Sequence, residues 1–269
     1  MDNYKKIKTS KNYYLAYNKF EPSHKDNKNS CGNVEVVFLS GFMSDMQGTK
    51  AKFVEELCRN LNVPCTRFDY FGHGNSDGDF ENGTISIWKD DVLTIIDKIT
   101  NPESNLIIIG SSMGGWLMLL AVLERADRIK NLIGIAAAPD FTEKLLWDEL
   151  GDNAKNEILE KGVYYYPTDY CNDPEEEGGD FYPITRELIE DGRKNLLLNN
   201  DSINLNIPIR LIHGMKDGDV PYSESVDLAD KLKSDDVEVI LCKDSSHRMS
   251  NEQDLKLLKQ VVESCIIPE

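Results

Sequence analysis

The sequence predicts a doubly wound α/β fold on a mostly parallel sheet, with a small inserted cap. Three observations carry this. Short apolar, β-rich runs alternate with amphipathic stretches, as strand and helix layers require. The runs are apolar almost without interruption, which suits strands covered on both faces. The alternation breaks once, from Phe141 to about Asn206. At 269 residues, 40% of them hydrophobic, the chain suffices for one sizeable core, so a single domain over residues 1–269 is expected with the cap at about 141–206.

Taken in order, YKKIKTSKNYYLAYNKF suits a short antiparallel hairpin near the start. VEVVFLS (Val34 to Ser40), CTRFDY (Cys65 to Tyr70), LIIIG (Leu106 to Gly110), LIGIAAA (Leu132 to Ala138), IPIRLIHG (Ile207 to Gly214) and VEVILC (Val237 to Cys242) read as strands. Trp88, Val92, Ile95, Ile96 and Ile99 recur at helical spacing. So do Leu255, Leu258, Val262 and Cys265, behind a capping-box pattern beginning at Ser250. Within the insertion, EKLLWDEL and ITRELIEDG read as helical pieces, and the acidic PEEEGGD as a solvated loop whose like charges repel.

Thirty Lys and Arg stand against 47 Asp and Glu, a net charge of −17. Such a surface repels phosphates and anionic headgroups, so neither nucleic acid nor an anionic membrane surface is an expected partner. No window reaches the roughly 18 apolar residues of a membrane span. The six cysteines are scattered with no C-x-x-C pair, which favours reduced thiols over a disulfide frame or zinc site. The first residues, MDNYKKIKTSKNYY, contain no apolar signal core and no arginine. The expectation is a cytoplasmic protein.

Gly110-Ser111-Ser112-Met113-Gly114 follows the LIIIG strand and fits G-x-S-x-G with Ser112 at its centre. A sharp strand-to-helix turn exposes such a serine above the sheet, and small neighbours let strand and helix approach. Ser111 does not fit this register, because Met113 falls where its second glycine belongs. On its own the pattern has rivals: a chance match, an N-cap serine, or a dinucleotide-binding turn, for which G-x-G-x-x-G is absent.

A serine hydroxyl needs a base, and the base an orienting acid. His247, in DSSHRMS after the VEVILC strand, is the base by placement. Of the other three histidines, His24 lies in a polar loop, His213 still belongs to a strand, and His73 lies in a glycine-rich loop near the same edge. Asp217, in HGMKDGDVP after another strand, is the preferred acid; Asp219 is its rival, with a turn or capping role toward the helix near Pro221 as the alternative. The order Ser, Asp, His is that of α/β-hydrolases. The oxyanion donors expected are the backbone N–H groups of Met113 and Phe42, and the Phe42 ring can also serve as an apolar wall.

With these residues in place, the chain resembles the α/β-hydrolase subgroup that includes the mitochondrial palmitoyl-protein thioesterase also described as mycophenolic acid acyl-glucuronide esterase. The resemblance runs from about Val34 to Leu258 and rests on GFMSDMQGTKA, TRFDYFGHGNSDG, IGSSMGGWLML, PIRLIHGMKDGDVP and DVEVILCKDSSHRMS. It implies the α/β-hydrolase fold, Ser112, Asp217 and His247 as triad, and Phe42 and Met113 as oxyanion donors. It also implies esterase or S-depalmitoylating activity on a small-molecule or acylated-protein substrate, with no cofactor and no metal. With no presequence ahead of the fold, the mitochondrial address is not expected to transfer. The function expected is a serine hydrolase of carboxylic ester or thioester bonds. The alternative from another class is a catalytically silent binding protein on the same fold.

Overall fold

The computed structural model describes residues 4–22, 33–167 and 181–267. PEEEGGD, His24, Cys31 and Cys171 lie outside the described residues.

Eight strands form one sheet in the order β1-β2-β4-β3-β5-β6-β9-β10. β1 (Lys5–Lys8) and β2 (Tyr14–Phe20) make the expected hairpin, and β2 joins the sheet antiparallel to β4 (Cys65–Phe68). β3 (Val34–Leu39), β4, β5 (Asn105–Ser111), β6 (Ile129–Ile135), β9 (Ile209–Gly214) and β10 (Val237–Cys242) run parallel. The order of strand addition reverses at β3: the path goes first to β4 on one side, then to β5 on the other. Ligand crevices form at such a switch point, beyond the carboxyl ends of the strands.

The apolar runs are explained by burial on both faces. Val37, Leu39 and Ile108 face one cluster with α2 (Ile85–Lys98) and α3 (Met113–Glu124). Val36, Phe38, Ile107 and Ile109 face the other, with α1 (Thr49–Leu61) and α7 (Glu252–Ile266). α3 is buried on every side from Met113 to Val122, which is why its sequence shows no polar stripe.

Two local expectations shift. The cap of α7 is Asn251, one residue after Ser250: its side chain accepts from Asp254 N–H, and Asp254 returns a bond to Asn251 N–H. Asp254 also takes the hydroxyl of buried Ser245, and this tie to the preceding loop sets the register. EKLLWDEL is helical as expected, but wound wide as a π-helix over Thr142–Trp147, with Asp148 N–H bonded five residues back to Glu143.

The rest of the β6–β9 segment contains α4 (Asp152–Lys161), the antiparallel pair β7 (Val163–Pro167) and β8 (Phe181–Thr185), and α5 (Arg186–Gly192). Leu150, Ala154, Ile158, Ile184 and Ile189 give it a small core of its own, against which Phe42 packs. α6 (Ser223–Lys231) lies between β9 and β10 in the chain. No helix among the described residues is long and apolar enough to cross a membrane.

Candidate active site

Ser112 links β5 to α3 with φ 54° and ψ −118°, a strained conformation for a residue with a side chain. The surroundings hold it there. Its N–H donates to Ile135 O at 2.9 Å, and its carbonyl accepts from Gly115 N–H at 2.8 Å and Ala138 N–H at 3.1 Å. The crossing of strand and helix is tight: a Cβ on Gly114 would stand 2.3 Å from Leu39 O. Ser111 is the last residue of β5 and is buried.

β9 and β10 bring the other two groups. Gly214 ends β9 against the loop after β10, so closely that a Cβ there would stand 2.2 Å from Ser245 O. Met215 N–H bonds Cys242 O at 2.8 Å and Lys216 N–H bonds Ser245 O at 3.0 Å, locking the two loops together. Lys50 on α1 adds a bond to the carbonyl of Arg248.

The side chains then form one chain. His247 Nε2 lies 3.1 Å from Ser112 Oγ, and His247 Nδ1 lies 2.8 Å from Asp217 Oδ2. Asp217 Oδ1 accepts the N–H groups of Asp219 at 2.9 Å and Val220 at 2.8 Å. Burial alone would raise the Asp217 pKa. Hydrogen bonds from His213 and His247, the His247 ring charge and the Val220 N–H outweigh it and hold the carboxyl well below the usual carboxylate range. Asp219, the rival acid, is exposed, and its backbone supports the turn that presents Asp217.

Phe42 follows β3 beside Ser112: a Cβ on Gly41 would stand 3.3 Å from Ser112 Cβ and 3.9 Å from its Oγ. Phe42 N–H has no acceptor among the described residues. The Met113 N–H belongs to the first turn of α3, where amides lack an intrahelical partner. The loop is pinned beneath: Tyr70 Oη donates to Ser40 O at 3.1 Å, and Met46 N–H to buried Asp69 at 2.7 Å. The Phe42 ring meets Phe80, Trp88, Phe141 and Tyr182 edge-on, so it is also the apolar wall.

His73 sits behind this wall rather than in the chain. It is buried against Tyr70, Phe80 and Trp88, and burial pushes its pKa down to about 4. His213 is the residue that sequence reasoning passed over. It is fully buried in β9, yet its Nε2 lies 3.1 Å from Asp217 Oδ2. The available signal was a histidine in an apolar strand four residues before an acid, since buried polar groups require partners.

Asp217, Asp219 and His247 each place one ligand-type atom within 4.8 Å of the others. The Asp217 oxygens and His247 Nδ1 are already engaged with N–H groups or one another, so the arrangement reads as a proton-transfer chain. Such an arrangement can activate a hydroxyl, and backbone amides beside it can meet an oxyanion that develops as the hydroxyl adds to an acyl carbon.

A family profile described as "Serine aminopeptidase, S33" matches residues 33–163. Over 231 residues the chain is 42% identical to the human palmitoyl-protein thioesterase ABHD10, mitochondrial, covering 86% of this chain and 72% of that protein. The chain belongs to the ABHD10 subgroup of α/β-hydrolases. It is accordingly a hydrolase acting on ester bonds. The solved structure of mouse alpha/beta hydrolase domain-containing protein 10 superposes with a TM-score of 0.84 at 34% identity, over 98% of each chain. Est1E from Butyrivibrio proteoclasticus, solved with ferulic acid, shares the fold at 20% identity, with a TM-score of 0.72 over 97% of each chain. The ABHD10 relatives correct one expectation: they are named as mitochondrial, so the cytoplasmic assignment does not stand. A compartment address is read by receptors and is not encoded in strand and helix patterning, which is why composition misjudged it.

Proposed function

We propose that Ser112, His247 and Asp217 are the nucleophile, base and acid of a serine hydrolase of acyl thioesters and carboxylic esters. The observation that carries this is the unbroken hydrogen-bonded path Ser112–His247–Asp217 at the carboxyl edge of the sheet. His247 Nε2 takes the Ser112 proton as Oγ adds to the acyl carbon, and Asp217 holds the ring in the Nδ1–H tautomer. Backbone N–H groups of Phe42 and Met113 take the developing oxyanion. The C–S or C–O bond breaks, and His247 returns its proton to the leaving thiol or alcohol. Water then adds to the acyl carbon as His247 Nε2 takes its proton, the bond to Ser112 Oγ breaks, and His247 returns that proton to Oγ as the acid leaves.

Residues 141–206 act as a cap within a single domain. Trp147, Tyr164 and Tyr182 pack against the small core beside Phe42, whereas Tyr165, Tyr166 and Phe181 are exposed. Any gap between cap and sheet beside Phe42 would be walled by apolar and aromatic groups, which suits an apolar acyl chain. The relatives' name, palmitoyl-protein thioesterase, supports the same substrate class. With a net charge of −17, the surface disfavours nucleic acid as substrate or partner.

The test is a chain-length series of p-nitrophenyl esters and acyl thioesters at fixed leaving group. kcat/KM rises from acetyl to medium chains and then levels, since each buried methylene is worth about 0.8 kcal/mol. A flat or falling profile contradicts the acyl pocket. A fluorophosphonate that leaves Ser112 unlabelled in the folded protein contradicts Ser112 as the nucleophile.

A further inference from the structure

We infer that His213 is a positioning residue that anchors the Asp217 carboxylate to the sheet; this rests on the reading of Asp217 as the acid of the triad. Asp217 sits on a turn whose other members, Met215, Lys216, Gly218 and Asp219, are exposed. A turn alone is a loose mount for a group that must hold an imidazole in one orientation, and sites referenced to strands are more precise. His213 lies inside β9, paired with Leu241 of β10, and is completely buried.

Its hydrogen bonds fix its tautomer. Nε2 faces two groups that only accept, Asp217 Oδ2 at 3.1 Å and Val220 O at 2.9 Å, so Nε2 bears the proton. Nδ1, 2.7 Å from Ser225 Oγ on α6, accepts that hydroxyl's proton. The ring is thus oriented from strand, turn and helix at once. It donates to the same oxygen that takes His247 Nδ1–H, while Oδ1 is held by the N–H groups of Asp219 and Val220. The one Nε2–H is shared between Val220 O, the nearer acceptor, and Asp217 Oδ2, so the ring ties both the backbone and the carboxylate of the turn to β9. Removing this donor frees the side of the carboxylate that orients His247 and leaves the substrate contacts in place.

The test uses p-nitrophenyl butyrate turnover by the full chain, with the melting temperature measured for each variant. His213→Asn removes the donor at the Nε2 position and lowers kcat about ten- to hundredfold, with KM within about twofold. His213→Gln restores an N–H at that position and recovers kcat to within about fivefold of wild type. In an Asp217→Asn background, His213→Asn adds less than about threefold, because groups acting through one another are not additive. Asp217→Asn with near-wild-type kcat overturns the acid assignment, separately from the His213 result. Wild-type kcat in folded His213→Asn overturns the inference. So does His213→Gln as slow as His213→Asn, or an undiminished loss in the double variant. If His213→Asn does not fold, ring-¹⁵N NMR of the wild type decides: Nε2 protonated and Nδ1 bare is expected, and the reverse tautomer overturns the inference.

Discussion

Ser112 Oγ and His247 Nε2 lie 3.1 Å apart although 135 residues separate them in the chain. The contact exists because β5 and β10 end at the same edge of one sheet and because Gly214 lets the β9 and β10 loops interlock.

The proposed acid, Asp217, and its rival Asp219 are separated by mutation. Asp217→Asn lowers kcat by about 10³–10⁴, since an amide no longer holds His247 in the working tautomer. Asp219→Asn leaves kcat within about tenfold, because Asp219 supports the turn through its backbone N–H. The Asp217 pKa is depressed in the folded chain, so its stabilising contribution is full above the unfolded value of about 3.9 and fades as pH falls through the folded value. Urea unfolding of wild type and Asp217→Asn therefore gives a stability gap at pH 7 that narrows below about pH 4. Equal kinetic losses in the two folded variants contradict the assignment.

The elbow tolerates no side chain at Gly114. A methyl group there meets Leu39 O at 2.3 Å and Ser40 O at 2.7 Å, both backbone atoms that cannot turn aside. Gly114→Ala costs about 1–3 kcal/mol by overpacking. Gly151→Ala, where a Cβ meets nothing within 4 Å, is the control. Thermal melts that rank the two variants equally count against the tight strand–helix crossing.

Asp91 gives the opposite pH dependence to Asp217. It is buried on α2 and accepts from Tyr13 Oη and from Phe71 N–H at 2.8 Å; burial pushes its pKa up to about 7 despite these bonds. Between about pH 4 and 7 the folded chain retains a proton that the unfolded chain has lost, so stability falls as pH rises, by up to about 1.4 kcal/mol per unit. Asp91→Asn removes that slope. Parallel stability curves for the two proteins over pH 4–7 contradict the account.

Much of this arrangement was legible in the sequence, and the losses have physical causes. The parallel strands showed as unbroken apolar runs because Val36 to Leu39 and Leu106 to Ile109 are buried on both faces. The Ser112 elbow and the loops bearing Asp217 and His247 showed because each follows such a run. α1 escaped notice: Glu55 interrupts its apolar face, buried there by ion pairs to Arg59 and Arg67. α4 buries only Ala154 and Ile158, too few positions to show a period. β7 and β8 contain prolines and mostly exposed aromatics, which hid a strand pair inside what read as a break. His213 reads in the sequence only as a strand residue, because its partner is visible only once the turn brings Asp217 back toward β9.

The most direct measurement of the central claim compares Ser112→Ala with Ser111→Ala in turnover of a medium-chain thioester, alongside peptide mapping of the wild-type protein after fluorophosphonate treatment. Ser112→Ala lowers kcat by about 10⁴–10⁶, as expected for a member of a triad acting as a unit, and the label maps to Ser112. Ser111→Ala stays within about tenfold of wild type. Loss of activity in Ser111→Ala with Ser112→Ala still active, or a label on any residue other than Ser112, would contradict the account.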